Sequence, residues 1–379
     1  MPETTLAAET ELPKTSTRLL MVTGPGRSGT SAVTGALSQL GVHVPPPLVD
    51  WNKSNRKGFF ETRWVVDFQR EVLKAAHTYE FDADPRAAAR IADATDAATQ
   101  EELSRWLHGA AAGHRQLVIK DPRSVWLHDL WERAATDSGL TLCFLTMLRH
   151  PTEVVGSRST YYGTAKDPRK ARDYAISKVA GWINVSLLNE RQTRGRPRAY
   201  LRYTDLLADW RSALTGVRDA VGLELNADLS SGEPSPVDEF ISPELHRIRT
   251  GWDELDVPDE LRTIAEQTWD ACCRLADEGG DTDLSTEFDD LSERYARSYR
   301  DAAAIASDTI DSAVARAAAE SARKVRQEFE DRLRESEQAS GSRLFEMKAA
   351  GAAGAKATVT RARRLSKRVV RRVRRRLDR

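Results

Sequence analysis

Cysteine is scarce in this chain, and the scarcity removes two classes of protein at once. Only Cys143, Cys272 and Cys273 occur in 379 residues. They make no metal-ligand spacing and no disulfide framework. Cys143 stands in an apolar run and the Cys272–Cys273 pair in a helical pattern, so all three read as buried or bystander thiols. No metal site is expected. Long apolar runs are missing near the start. Residues 1–17 are polar and acidic, and the apolar stretch Leu19–Val22 is too short for a signal-peptide core or a membrane span. A reducing, cytoplasmic setting is the expectation. Net charge is absent too, but the balance hides an asymmetry. From Arg361 to Arg379 stand ten Arg, one Lys and one Asp, a net charge of +10, so the other 360 residues carry −10.

What is present suits one large α/β domain with an appendage, since single cores seldom grow beyond about 250–300 residues. The chain is 40% hydrophobic and holds nine Trp. Four short apolar runs read as strands: Leu19–Thr23, Gln116–Lys120, Thr141–Leu148 and Ala199–Tyr203. Between them, Thr30–Leu40, Thr62–Ala76 and the Ala-rich Pro85–Ala112 have helical character, while Val42–Lys57, with three consecutive prolines, reads as loop. Strands alternating with helices predict a central, mostly parallel sheet flanked by helices. Such sheets bind ligands beyond the carboxyl ends of their strands. The first three runs end in Gly24–Ser31, Lys120–Arg123 and Arg149–Ser157, each with chemistry to offer.

Gly24-Pro25-Gly26-Arg27-Ser28-Gly29-Thr30-Ser31 lies between a strand and a helix. There, backbone N–H groups and the helix dipole favour an anion. The loop has the glycine spacing of a nucleoside-triphosphatase loop, but Thr30 stands where the lysine belongs. Without that cation the terminal phosphates of ATP are poorly held, which disfavours an ATPase or kinase.

These residues resemble the sulfotransferases that use 3′-phosphoadenosine 5′-phosphosulfate, whose fold is of the P-loop type. The first family motif is a basic residue directly before Ser-Gly-Thr, matched by Arg27-Ser28-Gly29-Thr30-Ser31 with Arg in place of the commoner Lys. The second is a strand-end Arg followed eight positions later by a Ser, matched by Arg149 and Ser157. Leu201–Leu207 is similar to a later family segment, with Thr204 where an acid is usual. The resemblance covers roughly residues 18–275, within an expected domain of residues 18–279, and implies that Arg27, Ser28, Gly29, Thr30 and Ser31 hold the 5′-phosphosulfate. It also implies that Arg149 and Ser157 hold the 3′-phosphate. A planar arginine fork suits a dianionic phosphate better than lysine does.

Sulfuryl transfer needs a base for the acceptor's proton and cations for the departing phosphate. The resemblance points to Lys120 as a cation on the transferring group, shared with Arg27, and to Glu61 as the base. His43 and Asp121 stand as alternative bases, and Glu61 also fits a capping acid at the start of its helix. Arg123 fits either an anionic acceptor or a pair with Asp121. The implied acceptor is a hydroxyl or amine on a carbohydrate, a lipid-linked glycan or a small metabolite. Two other readings remain: a phosphotransferase or nucleotide kinase on the same loop, and a non-catalytic membrane-associated scaffold.

Residues 280–350 read as an acidic linker (Asp281–Asp290) followed by a long helix from Ser292, either a coiled-coil stalk for a homo-oligomer or a spacer. In 351–379 the apolar residues Ala362, Leu365, Val369, Val370, Val373 and Leu377 recur at helical steps among arginines. That is a basic amphipathic pattern, suited to an anionic membrane at its inner face, with nucleic acid or a solvated end as alternatives.

Overall fold

The computed structural model describes residues 17–51, 55, 57–162, 167–245, 248–279 and 283–339. The chain falls into two compact units, Met1–Ala296 and Arg297–Arg379. In the first, β1 (Arg18–Thr23) leads into α1 (Thr30–Gln39), and α2 (Arg63–Ala75), α3 (Ala87–Ala94) and α4 (Ala97–Ala111) precede β2 (Gln116–Lys120). Then come α5 (His128–Asp137), β3 (Thr141–Leu148), α6 (Pro151–Tyr162), α7 (Pro168–Thr193) and β4 (Arg198–Arg202). Helices α8 (Tyr203–Ala208), α9 (Trp210–Val221), α10 (Pro236–Phe240) and α11 (Asp259–Asp277) follow, and α12 runs over Ser285–Ala339.

The four strands are all parallel, in the order β2-β1-β3-β4. Alternation of side chains across the pleat explains the layering. Leu20 and Val22 of β1 pack with Leu145, Met147 and Leu201 beneath α1 and α9. Leu19 and Met21 point the other way and pack with Leu117, Ile119 and Phe144 beneath α2, α4 and α5. A third cluster joins Leu148 and Tyr200 to α6, α7 and α11. A sheet buried on both faces needs near-continuous apolar strands, which is why the four runs were visible in the sequence.

Several boundaries differ from expectation. Pro85–Ala112 is two helices, broken at Thr95–Asp96, where the Asp96 carboxylate accepts from Thr99 N–H and caps α4. The fourth strand ends at Arg202, and Tyr203 opens α8. The acidic stretch expected to be a linker is helical from Ser285, because Phe288, Leu291 and Tyr295 bury one face of the first turns of α12 in the third cluster. The second unit's described residues, 297–339, continue as helix with Ile305 and Val325 exposed. Residues 340–379, with the basic tail, lie outside the described residues, as do 1–16. Among the described residues no helix is long and apolar enough to cross a membrane.

Candidate active site

The carboxyl ends of β1, β2 and β3 open into one cleft of about 480 Å³. Its floor is the loop after β1. Gly24 leaves the strand at φ +112°, in close approach to β3, where a Cβ would lie 2.6 Å from the Met147 carbonyl. Ser28 N–H closes a turn onto the Pro25 carbonyl at 3.2 Å. Gly29, at φ +94°, is the N-cap of α1 and leaves the first N–H groups of that helix without a side-chain cap. Uncapped N–H groups at a helix start form an anion site. Only glycine fits at 29, since a Cβ would run into the Tyr203 ring. Arg27 also has positive φ, at 79°.

Tyr203 is itself fixed, because its hydroxyl donates to the Leu245 carbonyl at 3.1 Å. Its ring faces Gly29 on one side, and the Arg149 guanidinium lies 5.1 Å from the ring centroid. Arg149, only 8% exposed, donates to Glu153 Oε2 (2.9 Å), the Arg27 carbonyl (3.2 Å) and the Ile248 carbonyl (3.2 Å). Arg27 Nε donates to Ser157 Oγ at 3.0 Å. Arg27 thus meets Arg149 and Ser157, more than a hundred residues further along the chain, at one rim.

The opposite rim is built on Lys120. The residue ends β2 with a 3% exposed side chain, and its Nζ donates to Glu61 Oε1 (2.6 Å), Ser31 Oγ (3.2 Å) and the Phe59 carbonyl (3.2 Å). Glu61 does not cap the following helix. Thr62 is the N-cap of α2, and no side chain caps that end. The Glu61 carboxylate instead turns onto Lys120 at the cleft wall.

Of the expected site residues, Arg27, Gly29, Thr30, Ser31, Glu61, Lys120, Arg149 and Ser157 all line the cleft. Ser28 does not. Its N–H is spent in the turn, and its hydroxyl is buried without a partner among the described residues. The two alternative bases lie elsewhere. His43 adds to the sheet beside β2, with Val118 N–H donating to its carbonyl at 2.8 Å, and its ring stacks on His114 at 3.5 Å. That is the amino-terminal half of the strand, three residues or about 10 Å short of Lys120. Asp121 is fully buried, and burial pushes its carboxyl up to about 6 against the pull of Arg123. Its oxygens accept from Arg123 N–H and Nη1 at 2.7–2.9 Å, so it anchors Arg123 at the cleft wall.

Two cleft residues carried no sequence signal, Glu80 and Arg158. Arg158 Nη1 donates to Glu80 Oε1 at 3.0 Å, and its guanidinium stacks 4.0 Å from the Phe81 centroid. Among the described residues, six basic side chains (Arg27, Lys57, Lys120, Arg123, Arg149, Arg158) and two acidic ones (Glu61, Glu80) line the cleft. That balance suits a ligand with several negative charges.

No family model matches the chain, and no curated protein matches it. Among solved structures it is similar to the sulfotransferase domain from the olefin synthase of Synechococcus PCC 7002, at 17% identity and a TM-score of 0.39, covering 69% of this chain and 97% of that one. It is also similar to the sulfotransferase domain from the curacin biosynthetic pathway, at 16% identity and a TM-score of 0.36, covering 66% and 97%. A third is sulfotransferase STF1 from Mycobacterium tuberculosis H37Rv, at 12% identity and a TM-score of 0.36, covering 68% and 77%.

Proposed function

We propose that this chain is a sulfotransferase that moves a sulfuryl group from 3′-phosphoadenosine 5′-phosphosulfate to a hydroxyl or amine. One observation carries the reading: the loop after β1 and the start of α6 are joined through Arg27, which bonds Ser157 Oγ and accepts from Arg149. A nucleotide with phosphate at both its 5′ and 3′ ends suits two such anion sites side by side. The uncapped start of α1 would take the 5′ end, and the Arg149 fork the 3′-phosphate. Thr30 in place of a lysine argues against ATP.

In the reaction so proposed, the acceptor oxygen or nitrogen attacks sulfur from the side opposite the bridging oxygen. Glu61 takes the acceptor's proton as the new bond to sulfur forms. The bond from sulfur to the bridging oxygen breaks, and that oxygen leaves on the 5′-phosphate with the electron pair. Lys120 and Arg27 stabilise the negative charge that collects there. The acceptor reading is a carbohydrate, a lipid-linked glycan or a small metabolite, and the tail at 351–379 would bring the enzyme to an anionic membrane.

Thermal denaturation with adenosine 3′,5′-bisphosphate, and separately with ATP and Mg²⁺, tests the donor. The bisphosphate should raise the midpoint and ATP should not. A shift with ATP alone, or with neither, overturns the reading. Sulfur-35 donor incubated with cell extract, with and without the protein, then reports the acceptor.

A further inference from the structure

Two side chains crowd the loop at Gly26. A Cβ there would run into Glu80 Oε1 and lie 3.1 Å from Arg158 Nη1, so the carboxylate is the nearer of the two. The backbone beneath Glu80 is held in place, and Arg158 holds its carboxylate at 3.0 Å. The Trp126 indole N–H donates to its backbone carbonyl at 3.1 Å. The next residue, Phe81, is 1% exposed, with its backbone packed against Gly181. Just beyond, Arg90 ties Asp82 and Asp84 together at 2.7 and 2.5 Å. Burial opposes ionisation of Glu80, but Arg158 and then Arg123 outweigh it and hold the carboxyl below the usual range. Glu61, bound to Lys120, supplies a second carboxylate at the same cleft. Arg123 feels both.

We infer that Glu80 is a charge filter on the terminal group of the donor, favouring a singly charged sulfuryl over a doubly charged phosphoryl. The role rests on the donor site proposed above and supplies what a bare anion loop lacks, a means of refusing nucleotides that end in phosphate. The cleft's cations draw in any anion. A fixed carboxylate against Gly26 penalises each further negative charge placed on the loop beside it. A sulfuryl terminus carries one charge at every working pH, whereas a terminal phosphoryl gains its second near pH 6. One charge at about 10 Å near a protein surface changes affinity on the order of tenfold.

The test compares two nucleotides that differ only in that group: 3′-phosphoadenosine 5′-phosphosulfate and adenosine 3′-phosphate 5′-diphosphate. Their Kd values are measured by calorimetry at pH 5.5 and 7.5, without acceptor. In the wild type the preference for the sulfuryl compound should widen on the order of tenfold as pH rises. Glu80→Gln should flatten that change, tightening the diphosphate more than the phosphosulfate. If Glu80→Gln moves both ligands equally, or the wild-type ratio is flat with pH, the filter is refuted while the donor reading stands. If the wild type binds neither ligand, both fall. Should Glu80→Gln fail to fold, the wild-type pH series decides the matter alone.

Discussion

Lys120 Nζ lies 2.6 Å from Glu61 Oε1, and the same ammonium reaches Ser31 Oγ on the first turn of α1. One cation therefore joins the end of β2, the start of α1 and the segment before α2. A donor seated on α1, as proposed, would compete with Glu61 for that ammonium. In the proposed reaction the competition draws Lys120 toward the departing phosphate and leaves the carboxylate to accept a proton.

Glu61→Gln should then lower turnover by roughly 10²–10⁴, the usual worth of a general base. Affinity for the bisphosphate should stay within a few fold. Lys120→Ala should lower turnover too, and it should also destabilise the fold by about 3–5 kcal/mol, because it strands Glu61 in a largely buried position. Single-turnover rates measured well below the melting midpoint separate the two effects. Near-wild-type turnover in Glu61→Gln would remove Glu61 as the base.

Arg149→Ala should weaken adenosine 3′,5′-bisphosphate by roughly 2–4 kcal/mol through loss of a charge-assisted contact. Adenosine 5′-phosphosulfate, which lacks the 3′-phosphate, should lose far less. Calorimetry with both ligands makes the comparison. Equal losses would mean that Arg149 supports the loop, through its bond to the Arg27 carbonyl, rather than reading the 3′ end.

Much of this site was legible because the chain writes it at strand ends. Gln116–Lys120 and Thr141–Leu148 are apolar to their last residue or two, and the polar residue that follows falls at the ligand edge of the sheet. Glu80 had no such marker. It stands among other acids in a connection whose course is set by burial of Phe81 and by Arg158, a contact spanning 78 residues. The place of His43 was hidden for a related reason: a loop histidine gives no sign that its backbone will pair with β2. The start of α12 was readable in principle. Phe288, Leu291 and Tyr295 recur at steps of three and four from inside the acidic stretch to just beyond it, and their burial outweighs the charge around them.

The tail yields a test that needs no nucleotide. Deleting residues 361–379 should release the protein from anionic liposomes and leave bisphosphate affinity unchanged. Salt should weaken attachment of the full chain, since the screening length falls from about 10 Å at 0.1 M to about 3 Å at 1 M. Duplex DNA would show the same trend, so the decision rests on Val369, Val370 and Val373. Changing all three to Ser should abolish liposome binding, because a membrane-surface helix depends on its apolar face, while arginine contacts to DNA phosphates persist. Equal liposome binding by the Ser variant defeats the membrane reading.

His128 sets a limit on how acid an assay can be. The ring is 1% exposed and packs 4.8 Å from Phe144, and neither ring nitrogen has a hydrogen-bond partner among the described residues. Burial first, and then the charge of Arg196, lowers its pKa to about 3. In the unfolded chain the imidazole takes a proton near pH 6.5. Between those values the unfolded state binds one proton more than the folded state, so stability falls as pH drops. The loss from this group alone should reach about 2 kcal/mol between pH 7 and pH 5. Denaturant unfolding at pH 7, 6 and 5 should show a steeper acid decline in the wild type than in His128→Phe, which keeps the ring and removes the titration. Parallel declines in the two proteins would show that His128 does not titrate across unfolding. The comparison bears on catalysis as well. A fall in turnover below pH 6 that His128→Phe reverses reports unfolding and not the chemistry at the cleft.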